Sequence, residues 1–247
     1  MTPREHASSE PDLIWLRPDR ARRGPKPTLS REQITRTAIE LADSDGLEAV
    51  SMRRIGARLG AGATSLYWHV MSKDDLYELM VDEVIGEIEL PERSGDWRTD
   101  VRAIAANTHA VLRRHRWLVL LGIQPGLGPK TQRYGQAALG ALEGLGVDVP
   151  TRINILAAVN NYLFGFVHRE IAWEQLRRRS GLTNKQWTAR LRRYLQGASA
   201  NDRLLATQIE ARLELTTQHS FEFGLDCLLQ GIATQAGRER QGTSTPT

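Results

Sequence analysis

Apolar positions along this chain recur three and four residues apart almost throughout, the spacing of one face of an α-helix. The first such run is Ile34, Ala38, Ile39, Leu41 and Ala42. Ser30 stands before it as an N-cap, Gln33 can close a capping box, and Gly46 stops it. A second, short helix opens at Ser51, with Ile55 and Leu59 inward and Arg53, Arg54 and Arg58 outward. Gly60, Ala61 and Gly62 read as a turn, residues 64–70 as a third short helix. Ser72 caps a fourth that runs through Leu76, Leu79, Met80, Val84 and Ile88 until Pro91. After a linker at 93–96, the spacing predicts helices over about 97–114, 117–121, 129–144, 148–178 and 183–195. A last helix starts near Asn201 or Leu213 and ends at Ala236. No stretch alternates as a strand does, and no internal repeat is found. The expected fold class is all-α, a small N-terminal three-helix domain followed by a larger helical body.

The ends differ from this pattern. Residues 1–28 have no periodicity and carry Pro3, Pro11, Pro18, Pro25 and Pro27, so they are expected to be a disordered basic arm. Residues 237–247 are polar and expected to be a frayed tail.

Charge changes the picture. The chain of 247 residues has a net charge of +4, yet between Arg17 and Lys73 eleven Lys/Arg face six Asp/Glu, an excess of five. The remainder is therefore near −1, and the basic surplus sits in the first quarter, as in proteins with an N-terminal nucleic-acid-binding domain. By charge alone, a solvated basic tail would look the same. No apolar run approaches the roughly 20 residues that cross a bilayer, and residues 1–12 are polar, unlike a signal peptide. A cytoplasmic protein without a membrane partner is expected. Cys227, the single cysteine, sits among Leu225, Leu228 and Leu229 and reads as a small buried residue. There is no glycine-rich phosphate loop, no nucleophile elbow and no metal-spaced cluster, and the six histidines are scattered. No catalytic residue, cofactor or metal is expected, and the chain does not read as an enzyme.

Residues 51–70 read as helix, tight turn, helix. Gly56 and Ala57 are small where the two helices approach, Gly60 serves the turn, and Leu59, Leu66 and Val70 fix the second helix on the first. Thr64, Ser65, Tyr67 and His69 are left as short polar or planar groups on a helix whose N-terminal end can enter a major groove. The run Leu66-Tyr67-Trp68-His69-Val70, followed by Lys73, Asp75 and Leu76, resembles the DNA-binding domain of tetracycline-repressor family regulators. Asp96-Trp97, the run from Arg114 to Arg116, Leu121-Gly122, the run from Phe164 to Phe166 and that from Phe221 to Leu225 resemble landmarks of the same family's regulatory domain. The resemblance covers about residues 30–236 and implies a helix-turn-helix DNA-binding domain over 29–74 and a helical regulatory and dimerisation domain over 75–236. It implies a repressor released from double-stranded DNA by a small molecule; an architectural or constitutive DNA-binding regulator without an effector is the alternative.

By matching positions, the resemblance gives Arg53 and Lys73 phosphates or base edges. It gives Thr64, Ser65 and Leu66 bases at the start of the recognition helix, and Tyr67, Trp68 and His69 backbone and bases; Leu66 and Trp68 could equally be core. The helix from Ile153 to Val167 is apolar almost all round, and Phe221, Leu225, Leu228 and Ile232 recur on one face of the last helix. The resemblance implies that these two helices pair with their copies in a homodimer on a palindromic operator. Its effector pocket, between the helices of 97–178, has as candidates Thr108, Trp117, Gln124, Gln136, Asn160, Asn161, Phe164 and His168, polar or aromatic residues on otherwise apolar faces. Where tetracycline-binding members carry a histidine that helps hold drug-bound magnesium, this chain has Leu120. That points to a hydrophobic or aromatic effector without metal.

Overall fold

The computed structural model describes residues 13–17, 29–122, 126–183, 185–187, 189–190, 193 and 217–242. The described residues are helical and contain no strand. The helices are α1 (Arg31–Asp45), α2 (Met52–Leu59), α3 (Ala63–Tyr67), α4 (Lys73–Ile85), α5 (Trp97–Arg114), α6 (Arg116–Leu121), α7 (Pro129–Ala141), α8 (Val149–Ser180) and α9 (Thr217–Gly242). None is long and apolar enough to cross a membrane. Two compact units form, one from residues 1–90 and 110–137, the other from 91–109 and 138–247.

In the first unit α1 carries the core. Ile34, Ala38 and Leu41 of α1, Ile55 of α2, Leu66 of α3 and Met80 of α4 are all at most 1% exposed. The capping box at the head of α1 forms as expected: Gln33 N donates to Ser30 Oγ at 3.1 Å and Ser30 N donates to Gln33 Oε1 at 3.0 Å. The expected disordered arm is corrected at residues 13–17. There Ile14–Leu16 form a 3-10 turn, and Ile14 is 1% exposed, an apolar side chain in the run Leu13-Ile14-Trp15-Leu16 that gains from burial. The third helix is shorter than the 64–70 expected. After Tyr67 the chain tightens, with His69 N and Val70 N both donating to Leu66 O, a close that lets the backbone turn into α4.

In the second unit α8 and α9 pack on each other, with α5 against them. Leu163 and Val167 of α8 and Phe221 and Leu225 of α9 are at most 1% exposed. Asp148 caps α8 by accepting from Thr151 N at 2.9 Å, and Pro150 occupies its first turn. Residues 185–187, 189–190 and 193 are helical, in keeping with a helix near 183–195; the rest of that helix, and the expected starts at Asn201 and Leu213, lie outside the described residues. The last helix continues past Ala236 to Gly242, where a frayed tail was expected.

Candidate nucleic-acid interface and regulatory body

The helix-turn-helix is built by two glycines and a buried leucine. Ser51 Oγ accepts from Arg54 N and starts α2. Gly60 ends it in the left-handed region at φ 65°, and Ala61 N folds back to donate to Gly56 O. A Cβ on Gly56 would stand 2.5 Å from Ala61 O, so the close approach needs glycine there. Of the three arginines on α2, Arg54 pairs with Asp45 and Arg58 lies 3.8 Å from Glu40, both on α1, and Arg53 is exposed. The Arg54 hydrogen bond holds the Asp45 carboxyl below its ordinary range.

On α3 the expected DNA-facing residues separate. Thr64 and Ser65 are exposed, Tyr67 is 50% and Trp68 69% exposed, and Met71, which sequence reasoning passed over, is 59% exposed. Leu66 corrects the expectation that it faces a base: at 0% exposure it is the anchor of α3, as its apolar side chain gains most from burial. Trp68, left open between core and surface, is on the surface. His69 keeps only 9% of its surface, and its carbonyl accepts from Arg31 Nε. Lys73 opens α4, exposed, with its ammonium 5.3 Å from the centre of the Tyr77 ring. The Tyr77 hydroxyl raises the Lys73 pKa, so the charge is held across neutral pH.

The expected effector residues fall in both units. Trp117 and Gln136 belong to the first unit, Thr108, Asn160, Asn161, Phe164 and His168 to the second, and Gln124 lies outside the described residues. Trp117 is buried. It is 2% exposed and its Nε1 donates to Asp43 Oδ1 at 2.8 Å, which ties α6 to α1. His115 joins the same cluster, with Nδ1 2.9 Å from Asp43 Oδ1 and Nε2 3.0 Å from Glu87 Oε2. Thr108 is buried, and its hydroxyl donates to Ile104 O one turn back on its own helix. Asn160 and Phe164 are half-buried on α8, whereas Gln136, Asn161 and His168 are exposed.

Sequence reasoning missed His109. Its ring stacks on Phe221 with centres 3.9 Å apart and meets Phe166 edge-on, while Nε2 lies 3.5 Å from Glu170 Oε2. Tyr162 closes the cluster by donating to Phe221 O at 2.7 Å. A histidine on an apolar helix face was the only signal for it.

The residues expected at the dimer face differ in exposure within one chain. Phe221, Leu225 and Ile232 are 1%, 1% and 8% exposed, with Phe221 packed on His109 of α5 and Phe166 of α8, and Leu228 is half-buried and lines a groove with Ile232. The stripe that stays open on α9 holds Phe223, Cys227 and Gly231; on α8 it holds Ile153, Ala157, Asn161, Gly165 and His168. Phe223 is 65% and Ile153 53% exposed. Cys227 is exposed, not buried as expected, and with Leu228, Ile155 and Ala236 it lines an apolar groove of about 320 Å³ between α8 and α9.

A helix-turn-helix with a buried anchor and exposed polar and planar groups, joined to a larger helical body, is the layout of a DNA-binding transcription regulator. Residues 34–80 match the model of the tetR family of bacterial regulatory proteins, and residues 90–236 match that of the tetracyclin repressor-like C-terminal domain. The chain belongs to the tetracycline-repressor family. The helix-turn-helix transcriptional repressor DrrR1 of Streptomyces coeruleorubidus is 34% identical over 241 residues, which is 95% of this chain and 88% of that protein. A helix-turn-helix transcriptional regulator of Saccharopolyspora erythraea is 36% identical over 93% of this chain and 94% of its own length. The crystal structure of ActR from Streptomyces coelicolor in complex with actinorhodin is similar at a TM-score of 0.74 and 26% identity, covering 86% of this chain and 99% of that one.

Proposed function

We propose that this protein is a cytoplasmic repressor that binds a palindromic operator as a homodimer and is released by a small organic effector. The observation that carries the DNA-binding part is the division of α3: Leu66 locks the helix into the core while Thr64, Ser65, Tyr67 and Trp68 stand out in solvent. Arg53 at the head of α2 and Lys73 at the head of α4 flank it and supply phosphate contacts, which set register, while the short side chains of α3 read base edges. Support for repression comes from DrrR1, and support for an effector from the ActR complex with actinorhodin.

A twofold dimer presents two recognition helices about one DNA turn, ~34–36 Å, or a multiple apart. The open stripes of α8 and α9, with Phe223, Cys227 and Gly231 beside the apolar groove, are the surface we assign to the second copy. Asn161 and His168 then belong to the dimer contact, which leaves Asn160 and Phe164 as the favoured effector residues. Leu120 favours an aromatic or hydrophobic effector bound without metal.

The test begins with duplexes selected by the protein from random-sequence DNA. Candidate effectors are then titrated against free protein and against the protein–duplex complex. Coupling between two sites is reciprocal, so the effector should bind the complex about 5–150-fold more weakly than free protein. Equal affinities in both titrations exclude release, leaving a constitutive regulator. EDTA should leave effector binding unchanged.

A further inference from the structure

The stretch that precedes the helix-turn-helix is docked on it. Ile14 is 1% exposed, and Trp15 Nε1 donates to Glu78 Oε2 of α4 at 2.8 Å. Arg17 reaches Asp75 with two nitrogens, Nη1 to Oδ2 at 3.0 Å and Nη2 to Oδ1 at 2.8 Å. The side chains of this pair keep only 18% and 12% of their surface. Asp75 is also the carboxylate that starts α4, accepting from Met71 N at 3.1 Å and Ser72 N at 3.2 Å. From the other side Arg31, the first residue of α1, donates Nε to His69 O and its two Nη groups to Arg17 O. The backbone of the corner between α3 and α4 is thus held at His69 by Arg31 and at Met71 and Ser72 by Asp75, and Arg17 grips both holders. Trp68, Met71 and Lys73 are carried outward on that corner.

We infer that Arg17, backed by Ile14 and Trp15, is a positioning residue for DNA recognition. It sets the angle of the corner that presents Trp68 and Lys73 without itself touching DNA. The inference rests on the proposal that this corner faces DNA. A bidentate guanidinium–carboxylate pair fixes orientation as well as charge, which an ammonium at the same site would not. Because the Arg17 guanidinium is committed to Asp75, its charge is not offered to a phosphate. Its loss should therefore lower sequence-specific affinity without changing the number of counterions released on binding.

The experiment measures binding of the full-length protein by fluorescence anisotropy at several salt concentrations. One probe is a duplex selected by the protein from random-sequence DNA; the other is a scrambled duplex of equal length. Arg17→Ala should weaken binding to the selected duplex about tenfold, in line with loss of a charge-assisted hydrogen-bonded pair. The scrambled duplex should be little affected, and the salt slope unchanged. Arg17→Lys should recover only part of the loss. Leu16→Ser, at a side chain 73% exposed, should bind both probes as the parent does. Lys73→Ala should weaken both probes and reduce the slope by about one. A slope reduced by one in Arg17→Ala would mean a direct phosphate contact, and equal losses on both probes would mean general destabilisation; either overturns the inference. So does unchanged binding by Arg17→Ala where Lys73→Ala behaves as expected. If neither variant loses affinity, the corner is not the DNA face and both readings fall. Should Arg17→Ala not fold, Trp15→Phe, which keeps an aromatic ring, though a smaller one, and removes the bond to Glu78, must show the same selective loss, and unchanged binding there overturns the inference.

Discussion

Leu66 and Thr64 sit two residues apart on one short helix and have opposite fates, 0% exposed and exposed. Their substitutions should separate folding from recognition. Leu66→Ala removes a buried side chain and leaves a cavity, a cost of about 2–5 kcal/mol. Thr64→Ala removes an exposed hydroxyl and should leave stability within about 0.5 kcal/mol. Urea unfolding followed by helicity measures the first effect. Anisotropy with a selected duplex measures the second, where Thr64→Ala should lose affinity although its unfolding midpoint stays in place. Gly56 offers a test of the turn. Its missing Cβ is what allows Ala61 O to approach, and that oxygen belongs to backbone with little room to shift. Gly56→Ala should therefore destabilise the first unit by about 1–3 kcal/mol through overpacking, although alanine is the better helix former. An unchanged urea midpoint would show that the α2–α3 turn can relax.

At the scale of elements, the starts of two helices in the second unit are held by acidic side chains, where serines cap α1, α2 and α4. Asp96 accepts from the Thr99 hydroxyl at 2.6 Å and from Thr99 N near the head of α5, and Asp148 accepts from Thr151 N at the head of α8. The hydrogen bonds from Thr99 and from Thr151 hold the two carboxyls below their ordinary values. A carboxyl whose pKa is depressed by folding contributes its stabilisation in full above its unfolded value, about 3.9 for aspartate, and loses it as pH falls through the lower folded value. The contribution of these two caps should therefore stay constant from neutral pH down to about 5 and be lost progressively below about 4. Asp148→Asn, which still accepts a hydrogen bond as a cap but carries no charge, should flatten that acid limb; urea midpoints taken across pH 3–7 read it out. The α6 junction works differently. There Trp117 and His115 both converge on Asp43 of α1, so helix 116–121 is fastened to α1 by polar contacts rather than by apolar packing alone. Trp117→Phe keeps most of the buried ring and removes one hydrogen bond, and should cost about 0.5–3 kcal/mol.

For the whole molecule, the two faces of α9 make opposite predictions. Leu225 is core, and Leu225→Arg places an unpaired charge in it, which should unfold or aggregate the chain. Phe223 is 65% exposed on the stripe assigned to the second copy. Phe223→Arg should leave the chain folded and monomeric by light scattering at low micromolar concentration, and should cost operator affinity, because a lone recognition helix engages half a site. A Phe223→Arg protein that remains a dimer would place the contact elsewhere.

Much of this was readable along the chain, and the reason is local. Helix period, the Ser30–Gln33 capping box, the Ser72 cap and the Asp148-Val149-Pro150 start involve residues within one turn of each other, so neighbouring side chains suffice to specify them. The run from Leu66 to Val70 carried the family, and Thr64, Ser65, Tyr67 and Trp68 stand exposed. What periodicity cannot carry is which of two apolar faces is met by the chain itself. On α9 both Phe221-Leu225-Ile232 and Phe223-Cys227-Gly231 recur at helical spacing, and only the packing of α5 and α8 decided that the first is core. The partner of the Trp117 indole is likewise out of reach of local pattern, because Asp43, which accepts its hydrogen bond, lies 74 residues earlier. The docking of Trp15 and Arg17 depends on Glu78 and Asp75, 63 and 58 residues onward. Periodicity and capping are set within a few residues, whereas burial and ion pairing are set by whatever distant part of the chain the fold brings alongside.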